Sequence, residues 1–349
     1  MIITSFKKKL TWFITLLLLL PAVFDAALAQ DEEALIKRAS QILGPLPASM
    51  TSEKNPITPE KVKLGKMLFY ESRISSDGTV SCAKCHPIAL YGTDGLRKSI
   101  GNHCKENLRN DPTIFNAAGQ ISEHWVGNRT SVEDQAKQSL IGAMSFGMPS
   151  YDSVEKILRA YKEYEVLFEA AFPGEKEPVN VDNFAQAIGA FERTLITPAP
   201  FDAFLKGSKD AITAQQKRGL TAFMDQGCVT CHFSPFVGGQ IYQKFGIFES
   251  YEKYTKSEKV DEGKYTVTKN ESDKYVFKVP VLRNVEMTSP YFHDGSVDKL
   301  EDAVWIMGKI QLGKDIPKEQ VQDMVAFLHA LTGRIPEDAK TIPELPSLE

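Results

Sequence analysis

The sequence predicts a mostly α-helical protein in two halves with long connecting loops. Three observations carry this. Apolar residues recur at helical spacing in several segments. Proline and glycine crowd the stretches between them, and period-two alternation is scarce. One five-residue pattern occurs twice, once in each half: Cys82-Ala83-Lys84-Cys85-His86 and Cys228-Val229-Thr230-Cys231-His232.

The chain opens with Lys7, Lys8 and Lys9, an apolar run from Leu10 to Phe24, and Ala27-Leu28-Ala29 before Gln30. A positive start, a short apolar core and small residues at a cleavage position define a secretory signal peptide, so residues 1–29 are expected to be removed. An uncleaved anchor is the alternative. No second long apolar run follows, so no membrane span is expected after cleavage. Residues 30 to about 57 form a short amphipathic segment and a proline-containing loop. Thr58-Pro59-Glu60 then starts a helix, with Thr58 as N-cap and Pro59 in the first turn. Its apolar positions are Val62, Leu64, Met67 and Leu68. A second helix runs from about Asp182 to Leu195, with Phe184, Ala187, Ile188 and Phe191 on one face. Thr197-Pro198-Ala199-Pro200 ends it and divides the chain into units 30–196 and 197–349. Thr213 and Gln216 form a capping box for the helix that carries Leu220 and Phe223 toward the second signature. A glycine-rich, charged loop covers about 238–273, with a short hairpin expected near Tyr265–Val267. Leu300, Ala303, Val304 and Met307 share a helical face, as do Val321, Met324, Val325, Leu328 and Leu331.

C-x-x-C-H is the attachment signature of c-type haem. Two thiols can form thioethers to the porphyrin, and the adjacent histidine can ligate the iron. Four cysteines could instead hold one zinc, or each pair could be a redox disulfide. Neither alternative requires the histidine that both copies carry, and the copies lack zinc-ribbon spacing. Cys82, Cys85, Cys228 and Cys231 are therefore expected to carry two covalent haems, with His86 and His232 on the irons. Export agrees, because c-type haem is attached outside the bacterial inner membrane. The formal net charge of −4 over 349 residues is evenly mixed, with no basic stripe or nucleic-acid motif. Cys104 is the odd thiol of five.

The chain resembles the bacterial di-haem cytochrome c peroxidases, a superfamily that includes the enzyme maturing methylamine dehydrogenase. The resemblance rests on Leu64-Gly65-Lys66-Met67-Leu68-Phe69, Asp94-Gly95-Leu96, Ser99-Ile100-Gly101 and Arg109-Asn110-Asp111-Pro112-Thr113. It continues in Gly263 to Asn284, Pro290-Tyr291-Phe292-His293-Asp294-Gly295, Met307-Gly308 and Gln311-Leu312-Gly313. It implies two cytochrome c-like haem domains with a calcium ion between them, and a carboxy-terminal tail packing back on the first. The first haem, on His86, would be the low-potential site where peroxide reacts. The second, on His232, would be the high-potential site that receives electrons, with Met307 as its other ligand. Thioether sulfur favours reduced iron. The maturation enzyme has tyrosine there, so Met307 favours the peroxidase side; without the motif, a core methionine is the plainer reading. Trp125 matches the tryptophan between the haems and would carry electrons; the plainer reading is a core aromatic. Asn110, Thr288 and Pro290 match the calcium positions, Thr288 and Pro290 through carbonyl oxygens, where hard donors suit calcium; turn residues alone are the alternative. His293 matches a position near the second haem and is not expected to ligate. The resemblance also allows a homodimer.

Two departures concern the reaction. Where the family has a displaceable histidine, this chain has Asn102, with His103 one residue later and then Cys104. His103 or Cys104 would reach the iron, or the segment is a surface loop without a ligand role. Where the family has a distal glutamate, this chain has Ser145, which cannot act as a carboxylate; His103 or water would have to substitute. The expected activity is periplasmic reduction of hydrogen peroxide to water with electrons from a small cytochrome c or a cupredoxin. The alternatives are an electron-transfer or redox-sensing protein with a disabled distal pocket, and oxidation of another substrate.

Overall fold

Helix starts follow the capping chemistry written in the sequence. Thr58 Oγ1 accepts from Lys61 N (3.2 Å), and Thr213 and Gln216 exchange side-chain bonds with each other's backbone N–H (3.2 and 2.8 Å). The computed structural model describes residues 31–257 and 259–347; the expected signal peptide lies outside them. Helix α1 covers 31–42. It is followed by α2 (Pro59–Phe69), α3 (Val132–Ile141), α4 (Tyr151–Arg159), α5 (Lys162–Ala171) and α6 (Val181–Glu192). Then come α7 (Pro200–Leu205), α8 (Ala214–Gln226), α9 (Leu300–Leu312) and α10 (Lys318–His329). Strands β1 (Tyr242–Lys244) and β2 (Val276–Lys278) pair antiparallel, with Gln243 opposite Phe277. The protein is mostly α-helical.

The hairpin is displaced from where the sequence placed it. Residues Tyr265–Thr268 form one helical turn, in which Thr266 Oγ1 donates to Gly263 O at 2.7 Å. The β-prone Tyr-Thr-Val run was outweighed by this local bond, a side chain competing for backbone partners. The strand pairing falls on Val276–Lys278 instead.

Apolar side chains collect in two main clusters. The first holds Leu64, Leu68, Phe69, Phe184, Ile188 and Phe191. The second holds Phe201, Phe204, Leu220, Phe223, Met324 and Phe327. Each is built on a helix pair brought together at a glycine. A Cβ on Gly65 of α2 would stand 1.9 Å from Ala187 O of α6, and one on Gly219 of α8 would stand 1.8 Å from Asp323 O of α10. Only glycine permits such backbone approach. In both halves this glycine-bearing helix precedes the C-x-x-C-H turn. Ala39 and Leu43, at the end of α1, lie in the second cluster, and Ala339 of the tail lies in the first.

The segment between the halves is a seam. Thr197 is fully buried, and its Oγ1 accepts from Asn116 Nδ2 (2.8 Å) and Asn284 Nδ2 (2.9 Å). Asn116 (φ 61°) and Asn284 (φ 63°) are both left-handed, a conformation asparagine tolerates well. Nearby, Asp202 and Arg283 form a buried two-pronged ion pair at 2.6 and 2.9 Å.

Candidate functional site

Both signatures form single helical turns at which His86 N and His232 N donate to the carbonyls of Cys82 and Cys228 (2.9 Å each). The His86 ring is oriented by Nδ1, 2.9 Å from Gly92 O, which leaves Nε2 for a metal. His232 is buried in the wall of a cavity of about 340 Å³. Its Nδ1 finds no hydrogen bond of good geometry, and burial pushes the imidazole down to about 4, so it stays neutral. A neutral, buried imidazole is what an iron ligand requires. Phe223, Phe245, Phe277, Leu300 and Leu328 give the cavity an apolar lining suited to a porphyrin.

The cavity gathers many of the residues singled out in the sequence. Cys228, Cys231, His232 and Met307 line it, and so do Asn110, Trp125, Thr288, Pro290 and His293. Met307 is on α9 and half-buried. Trp125 Nε1 donates to Asn110 O at 2.7 Å, and Asn110 N donates to His293 O at 2.8 Å. His293 is 2% exposed and stacks on Phe277 with ring centroids 4.4 Å apart; it also meets Trp125, Phe245 and Tyr251 edge-on. That aromatic cage accounts for His293 as packing.

The four signature thiols do not converge on one point among the described residues: the metal-type cluster there is Cys85 with Asp94 and Asp111. Burial raises every one of them, Cys85 to about 12 and Cys228 to about 11. Two separated cysteine pairs, each followed directly by a histidine, fit haem attachment better than one zinc site.

The loop expected to supply the first haem's second ligand is anchored by local hydrogen bonds. Asn102 is 1% exposed, and its Nδ2 donates to Ala143 O (2.9 Å) and Ser145 O (2.8 Å). It is a staple between two loops. His103 and Cys104 are exposed and left-handed. His103 N donates to Asp77 Oδ2 at 2.5 Å, and its Nε2 lies 3.4 Å from Ser76 Oγ. Ser145 Oγ donates to Ser139 O at 2.6 Å and to Gly142 O at 3.2 Å, which satisfies the end of α3.

Residues 119–125 are gripped by the second half. Gln240 Nε2 donates to Gly119 O (2.9 Å), Ile121 N to Gly239 O (3.0 Å) and Lys278 N to Trp125 O (2.7 Å). Sequence reading passed over three titratable groups here, of which Lys278 and His124 line the cavity. Lys278 is 3% exposed and its ammonium bonds Gln120 Oε1. Glu123, near that ammonium, is raised by burial to about 7. His124 lines the cavity beside Trp125, and burial, then Arg129, push it down to about 4. The one signal available for His124 was its position next to Trp125.

A sequence profile described as di-haem cytochrome c peroxidase matches residues 59–210. The cytochrome c551 peroxidase of Pseudomonas aeruginosa is 41% identical over 315 residues, covering 90% of each chain. This chain belongs to the di-haem cytochrome c peroxidase family. The cytochrome c551 peroxidase of Nitrosomonas europaea is 39% identical, over 80% of this chain and 83% of that one. Among solved structures, a MauG-like protein associated with microbial copper homeostasis superposes with a TM-score of 0.76 at 26% identity, over 85% of this chain and 97% of that one. As a member of the di-haem peroxidases, the protein is an oxidoreductase of the cytochrome c peroxidase kind, in a family that carries two c-type haems.

Proposed function

We propose that the protein is a periplasmic enzyme that reduces hydrogen peroxide to water with electrons from a small c-type cytochrome or a cupredoxin. Residues 30–196 form the peroxide-reacting unit, with haem on Cys82 and Cys85 and iron on His86. Residues 197–349 form the electron-receiving unit, with haem on Cys228 and Cys231 and iron between His232 and Met307. Trp125 passes electrons between them, and calcium sits on Asn110 with the carbonyls of Thr288 and Pro290. The observation that carries this reading is one cavity whose wall holds Cys228, Cys231, His232 and Met307 together with Trp125, Asn110, Thr288 and Pro290. Bound haem supplies the two-electron chemistry that no side chain offers. The protein's residues ligate it, keep it dry and position the relay. Export by residues 1–29 supports the compartment. No described helix is long and apolar enough to cross a membrane.

Ser145 favours a second reading. Its hydroxyl is spent on α3 carbonyls, and a positioned acid or base contributes about 10²–10⁴-fold to a proton-transfer step. An electron-transfer or redox-sensing protein would need no such group. Oxidation of another substrate is disfavoured by Met307. Steady-state peroxide turnover by calcium-replete, pre-reduced holoprotein with reduced cytochrome c separates these readings. Turnover well above that of free haem is expected; turnover no faster than free haem overturns the peroxidase reading.

A further inference from the structure

We infer that Glu123 takes up one proton when the second haem is reduced and releases it when that haem is oxidised. This rests on the proposed reading of a haem in the cavity that His232 and Met307 line.

A chain of hydrogen bonds joins Glu123 to that cavity. Lys278 and Gln120 line it. The Lys278 ammonium donates to Gln120 Oε1, and Gln120 Nε2 donates to Glu123 Oε2 at 3.2 Å. Two glycines bring Gln120 close to the proposed iron ligand. A Cβ on Gly238 would stand 3.2 Å from His232 Nδ1, and one on Gly239 would stand 2.8 Å from Gln120 Cγ. Neighbouring residues thus touch the His232 ring and the Gln120 side chain.

The bonding of Glu123 suits a change of charge. It is 7% exposed, yet among the described residues its carboxyl accepts one hydrogen bond, from the neutral Gln120 amide. A buried carboxylate keeps its charge by accepting several bonds or by meeting a cation. Glu71, equally enclosed, accepts from both Arg73 and Tyr164. Gln120 instead stands between Glu123 and the buried Lys278. The other charges facing Glu123 are Glu133 of α3 and Arg193 of α6, which pair with each other at 2.9 and 3.1 Å. Glu192 of α6 is held neutral by burial, and Arg129 meets Glu123 through its main-chain carbonyl. His124, next in sequence, is neutral above about 4. Burial outweighs Lys278 and lifts the Glu123 carboxyl to about 7.

An electron added to a water-poor cavity disfavours an anion beside it, so protonation follows. Ferric iron gains one electron from the reducing cytochrome c or cupredoxin. The Glu123 carboxylate gains one proton from solvent and becomes a carboxylic acid. Oxidation returns both.

Spectroelectrochemistry of the holoprotein against pH tests this. The methionine-ligated haem is followed through the charge-transfer band of sulfur on ferric iron. Its potential should fall as pH rises from about 6 to about 8, by up to one proton per electron. Glu123→Gln keeps an acceptor for Gln120 and should flatten that slope. Lys278→Met removes the nearby cation and should move the sloping range to higher pH. A flat wild-type profile overturns the inference. So does a wild-type slope in Glu123→Gln, which would assign the proton to the haem's own carboxylates. If Glu123→Gln fails to mature, the wild type decides by redox difference infrared spectroscopy. A protonated-carboxyl band should appear on reduction and shift in deuterium oxide; its absence overturns the inference. Absence of haem on the Cys228–Cys231 peptide in mass spectrometry would instead remove the underlying reading of the second site.

Discussion

The indole Nε1 of Trp125 donates to the main-chain carbonyl of Asn110 across 2.7 Å, so the proposed electron relay and the proposed calcium position share a hydrogen bond. Trp125→Phe keeps a flat ring but leaves the Asn110 carbonyl without its donor. A lost hydrogen bond of this kind costs about 1 kcal/mol. The expected outcome is a small loss of stability with a much larger fall in peroxide turnover. Stopped-flow reduction should find the second haem filling at the normal rate and the first lagging behind it. Equal rates at both haems in the variant would count against the relay.

Calcium removal should act through the same residue. Asn110 N donates to His293 O (2.8 Å) and Asn110 Nδ2 to Leu96 O (2.9 Å), so its loop already joins both halves. Chelation with EGTA is expected to slow turnover and re-addition of calcium to restore it. Elemental analysis should find one calcium per chain, lost in the slowed sample. Full activity in a calcium-free sample would place no ion there.

Much of this arrangement was legible in the sequence because it follows from local chemistry. Thr58 and Pro59 start α2, and the Thr213–Gln216 box starts α8, through bonds within four residues. The haem signatures are contiguous as well. Helices α3, α4 and α5 were passed over although Val132, Ala136 and Leu140, Val154 and Leu158, and Tyr164, Phe168 and Ala171 recur at helical spacing; these helices are short, and tertiary packing supplies their stability. The direction of loop 101–104 was hidden for another reason. A Cβ on Gly101 would stand 1.7 Å from Met144 O, and Asn102 bonds residues some forty positions away. No local pattern reports a contact of that range. Thr197-Pro198-Ala199-Pro200 looked like a linker because of its prolines, and its burial depends on Asn116 and Asn284, each more than eighty residues distant.

Acid should loosen the first core through Glu71. Its carboxylate is 1% exposed; it accepts from Arg73 Nε (2.7 Å) and Tyr164 Oη (2.8 Å). Burial alone would raise it, but these bonds outweigh burial and hold it below the usual range. The folded value therefore lies below the unfolded one, near 4.3. The stabilisation is complete above the unfolded value and is lost as pH falls through the folded value. Glu71→Gln should lower the urea midpoint at pH 7 by an amount equal to about 1–3 kcal/mol. Below about pH 4 its stability should fall less steeply than that of the wild type. Parallel pH curves for the two proteins would exclude this role.

Met307 sets the second haem's potential if it is the ligand. Replacing thioether sulfur with imidazole favours oxidised iron. Met307→His should shift one of two reduction waves to lower potential in spectroelectrochemistry and leave the other in place. The variant should also accept electrons from reduced cytochrome c more slowly. An unchanged pair of potentials would return Met307 to the core of α9.

The Asp202–Arg283 pair should be the costliest ion pair to break. Arg283 is fully buried and bonds Asp202 through both terminal nitrogens, while its Nε donates to Pro235 O (2.9 Å). Asp202 also accepts from Leu46 N and Ala199 N, both at 2.8 Å. One carboxylate therefore fixes the α7 start, the loop after α1 and the segment before Asn284. Asp202→Asn keeps the volume but leaves the fully buried guanidinium without its countercharge. Breaking a buried pair from one side costs about 3–5 kcal/mol. Arg218 and Asp323 have the same two-pronged geometry at 3.0 Å, with Arg218 62% exposed. Water screens that pair, so Asp323→Asn should barely move the urea midpoint. Similar losses in the two variants would mean that burial does not decide the strength of these pairs. A large loss in Asp202→Asn alone, with Thr197 and its two asparagines unaltered, would locate the seam's stability in the charge rather than in the hydrogen bonds beside it.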